Sequence, residues 1–436
     1  MSLKKIFQVA PSRVLQGSIR VPGDKSISHR SIIMGAIAEG TTHIDGFLEG
    51  EDSLATLEAF RKMGVEISEP VNGSLNIQGV GLHGLQVPVQ PLDMGNSGTA
   101  MRLLCGLLAA QNFPSVLVGD ESLSSRPMRR VTDPLRLMGA KIELEDGGTA
   151  PIRISPSKLT GINYDMPVAS AQVKSCLLLA GLYAEGATTV TEPAICRNHT
   201  ELMLQGFGYP IELAANKVTI RDGGMLKACA IDIPADISSA AFFLVGACIA
   251  PGSDLILKHV GINPTRVGVI NILRAMGANI EYLKQYNVGG EAVADIQVRY
   301  APLHGIDIPV DQVPLAIDEF PALFIAAACA AGTTTLSGAE ELRVKESDRI
   351  QAMADGLMTL GVEHEVKPDG IIITGSTIGG GVIDSKGDHR IAMAFTIAAL
   401  AAEREITILD CNNVATSFPG FAELVQSCGI DLKVVD

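Results

Sequence analysis

The sequence predicts an α/β fold of six βα units, set out as two similar halves of three units each. Three observations predict it. A helix-like run of small apolar residues recurs six times, each time followed by a strand, a second helix and further strand-like sequence. Each second helix closes on a hydrophobic–Gly pair, at Met63-Gly64, Met138-Gly139, Phe207-Gly208, Met276-Gly277, Leu360-Gly361 and Cys428-Gly429, and a Gly just past a helix end is the usual stop signal. The copies recur at about 70 residues, longer than the ~20–50 residues of solenoid repeats. Units of that size point to two α/β halves with a cleft between them.

The units follow in order. Their first helices end near Ala38-Glu39-Gly40, Ala109-Ala110, Ala184-Glu185-Gly186, Ala250-Pro251-Gly252, Ala330-Ala331-Gly332 and Ala401-Ala402-Glu403. The third unit ends in strand-like Lys217–Ile220 and a turn at Asp222-Gly223-Gly224, and the fourth opens at Pro234-Ala235-Asp236-Ile237-Ser238-Ser239. One N-terminal strand, up to about Arg20, precedes the first unit without a partner of its own, and the pattern assigns it to neither half. Gly379-Gly380-Gly381 reads as a turn, because no strand–GxxxxGK[ST]–helix context surrounds it.

The six first helices open on polar residues. The openings are Gly23-Asp24-Lys25-Ser26-Ile27-Ser28-His29-Arg30, Gly95-Asn96-Ser97-Gly98-Thr99, Ala169-Ser170-Ala171-Gln172-Val173-Lys174, Asp236-Ile237-Ser238-Ser239, Ile317-Asp318-Glu319-Phe320-Pro321 and Gly387-Asp388-His389-Arg390. Asp, Asn and Ser are good N-caps, and capping is the plain reading of Ser238-Ser239. A helix N-terminus also presents unpaired N–H groups and partial positive charge, which suits anions. Lys25, Arg30 and Arg390 at the same ends deepen that potential. Gly98 in a first turn is costly for a helix, so close approach of a ligand to the backbone is a motive for it.

Composition narrows the partners. Formal net charge is −14, which argues against nucleic acid. Hydrophobic content is 47% with no Trp, so the core is built from Ala, Leu, Ile, Val and Met. The eight cysteines form no CxxC pair and most sit in apolar runs, as reduced, buried thiols of a cytoplasmic protein do. No apolar signal core follows Met1–Lys5, and the longest apolar runs, such as Phe320–Ala331, fall short of the ~18–20 residues of a membrane span. The histidines show no metal-ligand spacing.

Three charged clusters stand out. Arg126, Arg129 and Arg130 form either a solvated basic face or a fork for a carboxylate or phosphate, with Pro127 fixing the backbone beside Arg126. In Leu342–Arg349, a helix would put Lys345 and Arg349 at i,i+4 and Glu346 and Arg349 at i,i+3. That is either a surface ion-pair ladder or, with Asp318 and Glu319, an acid/base pair inside an anion pocket. Asp388-His389-Arg390 has the look of a catalytic triplet.

Taken together, seven segments in order resemble the 5-enolpyruvylshikimate-3-phosphate synthase family. They are Val21–Arg30, Gly95–Thr99, Arg126-Pro127-Met128, Ser170–Ser175, Arg343–Arg349, Asp388-His389-Arg390 and Ser417-Phe418-Pro419. Within it, Cys196-Arg197-Asn198-His199-Thr200-Glu201 resembles the glyphosate-insensitive subgroup. The resemblance implies transfer of the enolpyruvyl group of phosphoenolpyruvate to the 5-hydroxyl of shikimate 3-phosphate, with release of phosphate, in the shikimate pathway to aromatic amino acids. It implies no metal and no organic cofactor, and a cytoplasmic monomer whose partners are those two small molecules, without nucleic acid or membrane. It implies an inside-out α/β barrel in two domains of three βαβαββ-type repeats, 22–234 and 1–21 plus 235–436, with the active site in the cleft between them. The N-terminal strand would then belong to the C-terminal half.

Site roles follow from the same resemblance. Lys25, Ser26, Arg30, Ser170, Ala171, Gln172, Arg197, Asp318 and Lys345 would meet shikimate 3-phosphate, with Arg197 on the 3-phosphate. Lys25, Asn96, Gly98, Arg126, Gln172, Arg349, His389 and Arg390 would hold phosphoenolpyruvate. Asp318 would be the base at the 5-hydroxyl, Glu346 would carry the proton at the methylene carbon, and Lys25 would assist phosphate departure. Two departures stand against the family pattern. The Lys that many members carry just before Thr/Ser-Phe-Pro is missing from Ala415-Thr416-Ser417-Phe418-Pro419, and Asn198 replaces an Asp. The alternatives are a UDP-N-acetylglucosamine enolpyruvyl transferase-like enzyme, which lacks the Asp24–Arg30 and Ser170–Ser175 segments, and a non-catalytic anion-binding protein. Asp318, Glu346 and Lys25 together argue against the latter.

Overall fold

The computed structural model describes residues 4–435. They divide into two compact units, one of residues 23–233 with 287–291, the other of residues 4–22, 234–286 and 292–435. Each has its own hydrophobic core and three sheets.

The sheets repeat one topology. In the 23–233 unit the strand orders are Ala230–Asp232, Glu39–Asp45, Leu75–Val80, Glu66–Ile67; Leu92–Asp93, Ser115–Val118, Ile152–Ser155, Lys141–Glu143; and Asn163–Asp165, Ala187–Thr191, Lys217–Arg221, Ile211–Ala214. In each the first pair is parallel and the other two antiparallel. Ala230–Asp232 follows the third repeat yet edges the first repeat's sheet, so the unit closes on itself.

The other unit follows the same plan. Gln16–Ile19 runs parallel to Asp254–Gly261, and Gly381–Asp384 parallel to Ile406–Leu409. In the middle sheet, Thr333–Leu336 pairs with Gly370–Thr374 and that with His364–Lys367, while the parallel edge is reduced to bridges at His304–Ala331 and Asp307–Thr335. The one N-terminal strand expected up to about Arg20 is two. Ile6–Val9 completes the sixth repeat's sheet between Ile406–Leu409 and Leu432–Val435, and Gln16–Ile19 opens the fourth's. Pro11, which has no N–H to give a ladder, falls in the break between them.

All six second helices end alike. The closing glycines 64, 139, 208, 277, 361 and 429 have φ between 76° and 105°, where only Gly is unstrained. Each donates to the carbonyl three residues back, and the next residue donates five back, as in Gly64 N to Arg61 O at 3.0 Å and Val65 N to Phe60 O at 3.1 Å. This is the Schellman stop, and it satisfies carbonyls the helix leaves unpaired.

The first helices are buried nearly all round. Every residue of Ile237–Ile249 and Phe320–Ala328 is buried, as is all of His389–Ala398 except Arg390. An all-apolar helix is stable only inside a core. Helices Gly98–Ala109 and Ala171–Gly181 meet at Gly106, where a Cβ would lie 2.0 Å from the Cys176 carbonyl oxygen. Among the described residues no helix is long and apolar enough to cross a membrane.

Candidate active site

Each unit gathers the openings of its three first helices. In the 23–233 unit, Asp24 caps Lys25–Ala36 by accepting from Ile27 N at 2.9 Å. Its own cap being settled, the Lys25 ammonium forms an ion pair with Asp52, which is buried in the first turn of Glu51–Lys62. His29, one turn on, joins Thr56 Oγ1 at 2.8 Å and Ser97 Oγ at 3.3 Å. Burial, reinforced by Lys25 and Arg30, pushes its pKa well below the ordinary value. The ring is therefore neutral at neutral pH and tethers the Lys25 helix to the Gly98 helix.

Arg30 is buried and held on three sides. It donates to the Ser26 carbonyl at 2.8 Å, to Ser175 Oγ at 2.7 Å and to Thr200 Oγ1 at 2.7 Å. Burial lowers its pKa to about 10, partly offset by Glu201, while Arg197 lowers it further. It stays charged at neutral pH. Two guanidiniums close enough to repel make a local positive field in an acidic protein, the setting for a multivalent anion.

The second opening places Asn96 and Gly98 against Arg126. Ser97 caps the helix by accepting from Ala100 N at 3.2 Å. Arg126 donates to Asn96 Oδ1 at 2.7 Å, and Asn96 donates to Asp120 Oδ2 at 2.7 Å. A Cβ at Gly98 would stand 3.1 Å from Arg102 Nη1 and 3.4 Å from Arg126 Nη1. The third opening joins here, since Gln172 accepts from Arg102 Nη1 at 2.7 Å and donates to Thr99 Oγ1 at 3.0 Å. Ser170 caps that helix, accepting from Val173 N at 3.4 Å, and Ala171 beside it is half-buried. The three-arginine run splits: Arg126 is buried, Arg130 half-buried and Arg129 exposed, so it is not one solvated basic face.

In the other unit the centre is Arg349, whose side chain is 1% exposed. Its Nε donates to Asp388 Oδ2 at 2.9 Å, its Nη2 to Glu346 Oε2 at 2.5 Å, and its Nη1 lies 3.4 Å from Asp318 Oδ1. Burial alone would lower its pKa, and the three carboxylates carry it above the ordinary value. Lys345 Nζ stands 3.6 Å from Asp318 Oδ1, and Arg390 donates to the Asp318 carbonyl at 2.9 Å. Asp318 and Glu346 thus hold one guanidinium from two sides and remain partly exposed, at 15% and 23%.

Four expectations change. Leu342–Arg349 is not one helix: Glu340–Val344 is a 3-10 turn, Lys345 is extended, and a new helix begins at Arg349 under an Asp348 cap. Lys345 and Arg349 converge on Asp318 by tertiary placement instead. Glu319 makes no acid/base pair with Asp318, because its side chain is fully buried and accepts from Ser238 Oγ, with Arg266 3.7 Å away. Asp236, not Ser238 or Ser239, caps its helix. Ser238 instead links Glu319 to Arg266, which donates to it at 2.8 Å. The Asp388-His389-Arg390 triplet divides too. Asp388 is fully buried, caps its helix through Arg390 N at 2.9 Å and braces Arg349, while Arg390 reaches Asp318.

Some residues of these clusters went unread in the sequence. Asp52 had a signal, an acidic first turn after Gly50. Asp120, Arg102 and Arg266 had none, because their partners lie far off along the chain.

Six repeats, three to a unit with their polar helix openings gathered, give a fold shared with solved enolpyruvyl transferase structures. The enolpyruvyl transferase NikO of Streptomyces tendae, 17% identical, superposes over 99% of both chains with a TM-score of 0.81. Within that class the chain belongs to the EPSP synthase (3-phosphoshikimate 1-carboxyvinyltransferase) family, whose model matches residues 9–425. It is 65% identical to the 3-phosphoshikimate 1-carboxyvinyltransferase of Methylococcus capsulatus, covering 98% of both chains, and 63% identical to that of Alkalilimnicola ehrlichii, covering 98% of this chain and 96% of the other. The EPSP synthase structure from Acinetobacter baumannii is 55% identical over the full length of both, with a TM-score of 0.90.

Proposed function

We propose that the two clusters, one in each unit, serve one reaction. Membership of the EPSP synthase family gives that reaction: the chain transfers the enolpyruvyl group of phosphoenolpyruvate to shikimate 3-phosphate. The observation that carries the site reading is the pairing of Asp318 and Glu346 on Arg349, in a chain whose other unit collects Lys25, Arg30, Arg126 and Arg197 around three helix N-termini. Two anionic substrates need cations. The chemistry needs two proton-carrying groups.

In this reading Asp318 takes the proton of the 5-hydroxyl as its oxygen bonds to C2 of phosphoenolpyruvate. The methylene carbon gains a proton in the same stage, from Glu346. Loss of phosphate then breaks the C2–O bond, and Glu346 takes a proton back from the methyl carbon, restoring the double bond. Lys25 stabilises the departing phosphate. Arg30 and Arg197 bind the 3-phosphate, with Ser26, Ser170, Ala171, Gln172 and Lys345 on the rest of the acceptor. Arg126, Arg349, Arg390 and His389 hold phosphoenolpyruvate beside Asn96 and Gly98. The reading includes an inside-out barrel in each domain and a cytoplasmic monomer without cofactor. A coupled assay of phosphate release decides it: release with phosphoenolpyruvate and shikimate 3-phosphate is expected. Release with UDP-N-acetylglucosamine instead would overturn it.

Gly98 offers a sharper check. Its φ lies outside the left-handed region and it opens the helix Gly98–Ala109, so Gly98→Ala is not strained there and favours the helix by up to ~1 kcal/mol. The new methyl crowds the Arg102 and Arg126 tips. Expected are unchanged or raised thermal stability and a KM for phosphoenolpyruvate raised about tenfold, read by steady-state kinetics and a melting curve.

A further inference from the structure

We propose that Lys174 is a positioning residue for acceptor binding: from beneath, it fixes the loop that presents Arg197. The inference rests on the reading above that Arg197 meets the 3-phosphate.

The segment from Glu192 to Asn198 has no regular secondary structure, and Pro193, Ala194 and Ile195 are exposed. It follows the strand Ala187–Thr191 and precedes the helix His199–Gly206, whose start at Asn198 has no side-chain cap. A loop of this kind needs outside anchorage to hold a guanidinium in one place. Lys174 supplies it. It lies in the helix Ala171–Gly181, its side chain is 1% exposed, and its ammonium pairs with Glu192 and, at 2.5 Å, with Glu201. The first carboxylate stands at the loop's beginning and the second in the first turn of the helix beyond it. Burial pulls the Lys174 pKa down, and Glu201, with Glu192, more than reverses it, so the ion stays charged.

The clamp reaches Arg197 directly along the chain. The second oxygen of Glu192 accepts from Cys196 N at 3.2 Å, the residue before Arg197. Glu192 is itself fixed from the far side, its N donating to Asn216 O at 2.8 Å. Lys174's neighbour Ser175 and Glu201's neighbour Thr200 are the two hydroxyls that hold Arg30, and they bond to each other at 2.7 Å. One buried cation therefore registers the loop of Arg197 against the seat of Arg30. Lys174 meets neither substrate in this account, since its side chain is 1% exposed and its ammonium is held by those two carboxylates.

The test is steady-state kinetics of Lys174→Met beside Arg197→Ala. Lys174→Met is expected to raise the KM for shikimate 3-phosphate about tenfold or more, the size of one misplaced charge-assisted hydrogen bond. Its kcat should stay within about threefold, with the KM for phosphoenolpyruvate unchanged. Lys174→Arg should recover part of the loss. A purely structural role would lower the melting temperature without separating the two KM values, and that result overturns the proposal. Glu201 Oε2 is buried without a hydrogen-bond partner, so losing the ammonium exposes the fold to an uncompensated charge. If Lys174→Met does not fold, Lys174→Met with Glu201→Gln, and separately Glu192→Ala, carry the same expectation and the same refutation. Arg197→Ala separates the two readings. An unchanged KM for shikimate 3-phosphate in Arg197→Ala sinks the site assignment, whereas a raised KM there and a normal one in Lys174→Met sinks the clamp alone.

Discussion

Asp318→Asn is expected to lower kcat at least ~100-fold while leaving both KM values near those of the unaltered enzyme. Asn keeps the shape of the side chain. Its Oδ1 still faces Arg349 Nη1 and Lys345 Nζ, and the backbone carbonyl that receives Arg390 is untouched. What disappears is an oxygen able to take a proton. An acid–base role contributes about 10²–10⁴ in rate, so the loss belongs in turnover. Rapid-quench measurement of the first turnover places it in the chemical step rather than in product release. A variant that turns over normally at saturation and loses only affinity would show that Asp318 holds substrate and that another group is the base.

The reason for expecting Asp318 to be available lies in the helix openings. Asp24, Ser97, Ser170, Asp236 and Asp388 each accept from a backbone N–H of their own helix. Those side chains are committed to capping. The proposed site residues sit beside them: Lys25 and Ser26 after Asp24, Asn96 and Gly98 around Ser97, Ala171 and Gln172 after Ser170, His389 and Arg390 after Asp388. The fifth opening differs. Glu319 occupies the cap position without a side-chain capping bond, and Pro321 in the first turn dispenses with one N–H donor. Asp318, one residue earlier, turns its carboxylate towards Arg349 and Lys345. The repeat that lacks a side-chain cap is the one that supplies the proposed base.

How much of this was legible follows from distance along the chain. Closing glycines and caps act over three to five residues, so the six-fold pattern and its openings could be read directly. The Glu346–Arg349 pair was legible for the same reason, although the helix assumed for it does not exist. Asp348 accepts from Gln351 N and starts a new helix, a competing local signal that the charge spacing concealed. Partners such as Arg126–Asn96, Lys174–Glu192 and Ser238–Glu319 were not legible, because nothing local marks which of many distant polar groups a buried side chain will find. The N-terminal segment shows the same limit. Its two short strands join sheets whose other strands come from residues 254–299 and 381–435.

Arg349→Met is the largest stability change expected, a loss of about 3–5 kcal/mol, the usual cost of removing one partner from a buried charge network. Met matches the stem and deletes the guanidinium whose Nε donates to Asp388 Oδ2 at 2.9 Å, while that carboxylate keeps Ser347 Oγ at 3.0 Å and the Arg390 N–H at 2.9 Å. The pH dependence identifies the cause. In the unaltered protein burial pushes the Asp388 pKa up, Arg349 pulls it down, and the net lies below the usual carboxylate value. A depressed folded-state pKa gives stability that is present above the unfolded value of ~3.9 and lost as pH falls through the folded one. Without Arg349, burial and Glu346 act unopposed by a guanidinium, the folded pKa rises above the unfolded one, and the group costs stability as pH climbs. The gap between the two proteins is therefore widest near neutrality, has already narrowed by about pH 4, and narrows further below it. Urea melts followed by far-UV circular dichroism suit a chain without Trp. A gap that is small, or that is the same at pH 4 and pH 7, would mean that Arg349 does not carry the buried carboxylates, and Arg349→Lys, which keeps the charge but not the fork, should fall between the two.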